Sequence, residues 1–296
     1  MSIPENLPKQ DPSYLPQTDS SHLKRTHPPR LPEDKQIADI KDTVLQNTHD
    51  SQAQAIKGKG NVIVLTGIVA AGKSSIVKAI QKVDPDFHEE DLDLRRDLKT
   101  PTTKEMELAM IDDTIDRSLA GEKTVISLMN VDHFARRMLE RGITGIPVKT
   151  ILAHCPFSEI PGRLEARNQA AESPGGDPGN YRDPLVPMDQ FAGLYTQRED
   201  GIEEIDRSTA SEFFNTSFDK MIAHAKKVGD PLPSDEQIAK DKTESCEGFL
   251  KQLGFTNESQ MKVSVMPREA FDVIIDTSKY RDAESREAIV AKILKQ

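Results

Sequence analysis

Short aliphatic runs alternating with amphipathic stretches set the pattern of this chain. Val62-Ile63-Val64-Leu65 is an unbroken aliphatic run, as expected of a strand buried on both faces of a parallel sheet. Thr124 to Met129 and Val148 to Ala153 repeat it, and Phe271 to Ile275 gives a further strand near the end. Between the runs the apolar positions change to helical spacing. The predicted helices cover Ser75 to Ile80, a stretch carrying Met106, Leu108, Ala109, Ile111, Ile115 and Leu119, then Phe134 to Arg141, Glu159 to Gln169 and Ala283 to Leu294. Thr102 with Glu105 forms a capping-box pattern ahead of the second of these. Strands alternating with helices predict an α/β fold, a parallel sheet flanked by helices.

Two regions break the alternation. Residues 1–36 hold seven of the 19 prolines and few large aliphatics, too little apolar area to offset the entropy of ordering, so a disordered Pro-rich tail is expected. Ile37, Ile40, Val44 and Leu45 then fall on one helical stripe, which makes 37–60 a helix and linker. Residues 61–198 and 263–296 form the main domain. Between them, 199–262 reads as an acidic, mostly helical insertion or lid. Phe213, Phe214, Phe218, Met221 and Ile222 form its apolar face, and such a stripe is more often core than docking surface. A protein partner engaging this insertion is the other reading.

Charge and composition remove several function classes. The 296 residues carry 39 Lys plus Arg against 49 Asp plus Glu, a formal net charge of −10. That balance argues against a surface built for nucleic acid or an anionic membrane. No run approaches the roughly 20 apolar residues of a membrane span, and the N-terminal MSIPENLPKQ lacks the basic and apolar regions of a signal peptide. Two cysteines, Cys155 and Cys246, cannot build a disulfide scaffold and suit a reducing compartment. A cytoplasmic protein is expected; the Pro-rich tail would also suit a secreted effector.

Chemistry enters with Gly67-Ile-Val-Ala-Ala-Gly72-Lys73-Ser74, which satisfies G-x4-G-K-[ST] and lies between a predicted strand and a predicted helix. The glycines let the amides of Ala70, Ala71, Gly72, Lys73, Ser74 and Ser75 turn inward around phosphate oxygens, and the helix N-terminus adds its partial positive charge. Lys73 would reach the β- and γ-phosphates, and the Ser74 hydroxyl would join the shell of a Mg²⁺ ion. Neither the guanine-reading N-K-x-D nor an L-S-G-G-Q-like signature is present. The strand spacing and lid-like insertion favour a small-molecule kinase over a GTPase or an ABC-type ATPase.

Three segments, NVIVLTGIVAAGKSSIVKAI, TILAHCPFSEIPGRLEARN and AFDVIIDTSKYRDAESREAIVAKI, resemble the chloramphenicol phosphotransferase-like P-loop kinases. The likeness covers about half the chain in separated blocks, and the zeta-toxin kinases are a more distant resemblance. It implies a P-loop NTPase-type sheet, with ATP and Mg²⁺ as cofactors and γ-phosphoryl transfer to a hydroxyl of a small molecule. The family's proton-accepting carboxylate follows its second strand. The matching segment here is Phe87 to Arg96, which makes Asp91 or Asp93 the base, both on one face if the segment is extended. Asp93 with Arg96 also has the D-x-x-R look of zeta-toxin kinases, with Arg96 holding the acceptor.

On the lid helix, Arg163 and Arg167 lie four apart and share a face. The resemblance makes them a clamp on the transferring phosphoryl group, and salt bridges to Glu159 or Glu165 are the bland alternative. Asp276 and Thr277 match the turn bordering the adenine, where backbone contacts are expected. One position departs from the family: its third strand ends in acids that hold Mg²⁺ through water, whereas this chain has Asn130, with Asp132 two residues later. Either Asp132 serves the metal, or turnover is slow or absent. The rival readings are therefore a zeta-toxin-like nucleotide-sugar kinase and a non-catalytic, nucleotide-gated binding or effector protein.

Overall fold

The computed structural model describes residues 60–95, 103–176 and 181–296. The predicted tail, the predicted 37–60 helix, Arg96 and Thr102 lie outside them. The expected strands form as β1 (Val62–Thr66), β3 (Lys123–Ser127), β4 (Val148–His154) and a last strand, Val273–Asp276, and β2 (Phe87–Glu90), which the pattern does not predict, joins them, all parallel. The order across the sheet is β2, β3, β1, β4, last strand. The chain thus leaves the central β1 to one side for β2 and β3, then crosses to the other for β4, a doubly wound arrangement.

Alternation along β1 sorts its side chains between two layers. Ile63 and Leu65 meet Ile76, Val77 and Ile80 of α1 (Lys73–Val83) on one face. On the other, Val62 and Val64 pack with Met110, Ile111, Ile115, Phe134 and Met138. Those residues belong to two further helices, Lys104–Leu119 and Val131–Glu140; with the short helix α2 (Leu92–Arg95) before them they are α3 and α4. Every β1 residue is buried, which accounts for its unbroken aliphatic sequence. The Thr102 capping box is corrected by one residue: Thr103 is the N-cap of α3, and its hydroxyl accepts from the Met106 amide at 3.2 Å.

After β4, a 3-10 turn at Phe157–Glu159 leads into α5 (Ile160–Glu172), and α6 (Val186–Leu194) follows. Three short strands were not expected from the pattern: β5 (Tyr195–Gln197), β6 (Glu203–Asp206) and β7 (Lys262–Pro267) form an antiparallel sheet with β7 in the middle. That sheet crosses the borders drawn at 198/199 and 262/263, so the insertion is rooted in the main domain. Its helices are α7 (Arg207–Val228) and α8 (Asp235–Leu253). The last strand of the main sheet is then β8, followed by α9 (Ala283–Lys295). Phe213, Phe214 and Phe218 are buried, and Met221 and Ile222 pack against the same core. The aromatic stripe is core. No helix among the described residues is long and apolar enough to cross a membrane.

Candidate active site

Parallel strands end together, so the turns after β1, β2, β3, β4 and β8 gather along one edge of the sheet. β1 runs into Gly67 at φ 150°, where a Cβ would stand 2.6 Å from the Ala153 carbonyl oxygen on the neighbouring strand. Only glycine passes there. Gly72, left-handed at φ 92°, ψ 20°, turns the chain into α1 with no side-chain cap. The Gly72 carbonyl accepts from the amides of Ser75 at 3.0 Å and Ile76 at 3.2 Å, so the amides of Lys73 and Ser74 come before the first intrahelical carbonyl and have no side-chain cap, a ready site for an anion. Ser74 is exposed on this first turn and Ser75 is half-buried.

Lys73 folds back over the loop. Its Nζ donates to the carbonyl oxygens of Gly67 at 2.6 Å and Ile68 at 3.1 Å. Burial pulls its amine down to about 8, with Arg167 pushing the same way and the carboxylates of Asp91 and Asp93 opposing. The loop lysine, both acidic candidates and one of the two lid arginines therefore share a single electrostatic neighbourhood.

The extended reading of Phe87 to Arg96 needs correction. The strand stops at Glu90 and Asp93 lies in the helical turn α2, so alternation no longer relates the two acids. Asp91 Oδ1 accepts from the Asp93 amide at 2.8 Å and thereby starts that turn. Asp93 is engaged by the Arg182 guanidinium at 3.1 Å. Glu90, nearly inaccessible at the strand end, is met by Arg95 at 2.6 Å, His88 at 3.2 Å and Arg117 at 3.4 Å. That shell explains how an acidic strand end is buried.

The lid arginines divide. Arg163 donates to Thr277 Oγ1 at 2.8 Å and to Glu159 Oε2 at 2.8 Å; Glu159 also binds Arg281 at 2.7 Å. Arg163 thus makes the Glu159 ion pair and sits at the β8 turn, where its guanidinium also borders the loop at Gly72, 3.9 Å from where a Cβ would stand. Arg167 is the arginine near Lys73 and Asp93, its pKa lowered by burial and by the like charge of Arg182. Arg182 and Gln190, absent from the sequence-based set, join the site only through tertiary contacts. Gln190 Oε1 accepts from the Val69 amide of the loop at 2.6 Å.

Beside the loop lies a cavity of about 310 Å³, lined by Gly72, Ser75, Arg163, Thr277, Tyr280 and Ile289 among others. That is at the small end of the range for small-molecule sites. Thr277 holds its wall: its amide and hydroxyl both donate to the His154 carbonyl oxygen, at 2.8 and 3.0 Å. Asp276 is turned into its own loop, accepting from the Ser278 amide and hydroxyl and pairing with Lys279. Cys155 is buried, and burial pushes its thiol up to about 12, so it offers no nucleophile.

For a metal the donors are sparse. No group of three or more metal-ligating side chains occurs among the described residues. Asn130 caps α4, its Oδ1 accepting from the Asp132 amide at 2.9 Å, which gives the amide a structural task. The Ser74 hydroxyl, on the first turn of α1, and the Asp132 carboxylate, on the first turn of α4, are oxygen donors of the kind Mg²⁺ takes.

The doubly wound sheet with this loop at the end of its central strand defines an α/β fold of the P-loop NTPase type. No family model matches the sequence, and no curated protein matches it. The chloramphenicol phosphotransferase-like resemblance therefore stands on its residues alone. Among solved structures, the PezAT toxin–antitoxin system of Streptococcus pneumoniae is similar at 15% identity, with 85% of this chain and 96% of that chain covered and a TM-score of 0.34. A gluconokinase from Sinorhizobium meliloti 1021 gives 12%, 81%, 98% and 0.29, and the APS kinase CysC of Mycobacterium tuberculosis 18%, 40%, 79% and 0.28. At those identities and TM-scores the likenesses carry nothing about the reaction, which has to be read from the site.

Proposed function

We propose that the chain is a kinase that transfers the γ-phosphoryl group of ATP to a hydroxyl of a small molecule. One observation carries the reading: the phosphate-binding loop's Lys73 lies within electrostatic reach of Asp91, Asp93 and Arg167. That neighbourhood supports a site in which phosphate-binding charge and a proton acceptor would meet, as transfer to a hydroxyl requires. The amides of residues 70–75 would cradle the phosphates, and the adjoining cavity behind Thr277 would take the nucleoside. Lys73 would bridge the β- and γ-phosphates. Ser74, with Asp132 through water, would hold Mg²⁺, which neutralises phosphate charge when bound.

Asp91 is the better base. Asp93 is engaged by Arg182, whereas Asp91 stands at the end of β2 and weighs more heavily on Lys73. The acceptor oxygen would form its bond to the γ-phosphorus as the bond to the leaving ADP oxygen breaks, and the hydroxyl proton would pass to an Asp91 Oδ. Arg167 and Arg182 would offset charge spread over the moving group; Arg163 would serve the nucleoside side. The test is ATP turnover by the purified protein with Mg²⁺, with and without a metabolite extract as acceptor pool, beside Lys73→Ala and Asp91→Asn. Acceptor-dependent turnover lost in both variants supports the reading. ATP binding that stays without turnover across several extracts refutes it.

A further inference from the structure

Within the loop, glycine is missing where the backbone most wants it. Ala70 has φ 66°, and among the described residues it is the one non-glycine at positive φ. An L side chain there crowds its own carbonyl, so the left-handed state of alanine is disfavoured and needs outside support. The N–H of the preceding residue, Val69, in the Ile68–Val69 peptide, is held by Gln190 Oε1 at 2.6 Å, one residue ahead of the left-handed position. Of the carboxamide's two ends only the oxygen can accept from an N–H, so the bond fixes the side chain's orientation as well.

Gln190 is itself anchored. It sits on α6, whose Pro187, Met188, Phe191, Ala192 and Leu194 are buried. Phe191 stacks on Tyr195 with ring centres 4.2 Å apart and meets Phe157 edge-on at 5.1 Å. The acceptor thus comes from a packed helix 121 positions away in sequence, not from the loop's own neighbourhood. Val69 precedes the residues whose amides would meet phosphate, so the contact restrains the loop without occupying those amides.

We propose that Gln190 is a positioning residue that holds the phosphate-binding loop in its binding shape through the Val69 amide, compensating for alanine at the left-handed position 70. This rests on the reading of the loop as a nucleotide site. Gln190→Leu keeps the bulk and removes the acceptor; Gln190→Glu keeps an acceptor at the same reach; Ala70→Gly removes the conformational handicap. All are made in the full chain, alone and with Gln190→Leu combined with Ala70→Gly.

Two readouts are followed: hydrogen exchange of the loop peptide in the free protein, and binding and turnover of ATP. In Gln190→Leu the loop should exchange faster and ATP affinity should fall roughly tenfold, with kcat changed by no more than about threefold. Gln190→Glu should keep the exchange protection, and adding Ala70→Gly should restore ATP affinity to within about threefold of the parent. Unchanged exchange and affinity in Gln190→Leu, or no rescue by Ala70→Gly, overturns the proposal. Should Gln190→Leu fail to fold, Gln190→Ser, too short to reach the amide, carries the same test. A parent protein that binds no ATP sinks the nucleotide reading, while the exchange measurement still decides whether Gln190 restrains the loop.

Discussion

Affinity for ATP should fall as pH rises through 8, because burial in the free protein lowers the pKa of Lys73, the amine proposed to meet the phosphates. Burial lowers the Lys73 pKa to about 8 against 10.5 for an ordinary lysine, and Asp91 and Asp93 recover only part of the loss. The charged form is the one that binds phosphate. At pH 8 half the molecules carry it and at pH 9 about a tenth, so apparent affinity should drop about tenfold between pH 7 and 9. The sign follows from linkage: phosphate oxygens favour the ammonium, so binding raises the pKa and takes up about half a proton at pH 8. The nucleotide's own phosphates have finished titrating below this window. Titration calorimetry in buffers of different ionisation enthalpy measures affinity and proton uptake together. Lys73→Arg, which does not titrate here, should bind with a flat profile. A parent profile flat to pH 9, or a slope retained in Lys73→Arg, would refute the assignment of the low pKa to Lys73.

Other substitutions probe the remaining parts. Asp91→Asn should lower kcat by about 10²- to 10⁴-fold with little change in ATP affinity, and Asp93→Asn should cost less; single-turnover kinetics separate the two, and a larger loss in Asp93→Asn would reverse the assignment. Thr277→Val removes the hydroxyl that donates to the His154 carbonyl and accepts from Arg163. It should cost about 1–3 kcal/mol in chemical denaturation; no change would mean the wall of the cavity does not depend on this residue. Glu203 is pushed up to about 7 by burial, against 4.5 unfolded. Its folded state therefore holds the proton more tightly, and the stability it contributes below pH 4.5 drains away as pH rises towards 7, by about 2–3 kcal/mol. His154, whose pKa burial lowers and which lies 3.4 Å from Glu203, works in the opposite sense, so the comparison is of Tm against pH between the parent and Glu203→Gln. The variant should gain on the parent as pH rises from 5 to 8, and parallel curves would contradict the burial argument.

What the chain's pattern revealed, and what it concealed, divides by how local the cause is. β1, β3 and β4 were legible because burial on both faces demands aliphatic runs that nothing else in the chain imitates. β2 lies at the sheet's edge with only Phe87 and Glu90 buried, so its sequence, Phe-His-Glu-Glu, has no strand signature. β6, Glu-Glu-Ile-Asp, hides in the same way: its one buried residue, Ile205, cannot announce a period. Such strands exist because partners supply what their own residues do not. For Glu90 these are Arg95, Arg117 and His88; for β6 it is register against β7.

The same division runs through the site. A phosphate-binding loop is a backbone device, so eight consecutive residues specify it, and Lys73 and Ser74 could be placed from the motif alone. The groups gathered around the loop come from other turns and answer to no spacing rule. Helical periodicity correctly put Arg163 and Arg167 on one face, yet a helix face spans several ångströms along its axis. One turn separates an arginine at Thr277 from one near Lys73. Arg182 reaches Asp93 across 89 positions and Gln190 reaches Val69 across 121, distances over which local sequence holds no information. Ala70 shows the link between the two levels. An alanine at that place satisfies the motif, and only the structure shows that it is left-handed and that a contact from α6 reaches the residue beside it. Where a local rule is broken, a compensating contact is to be looked for in the tertiary structure, and here it leads from the loop straight to α6.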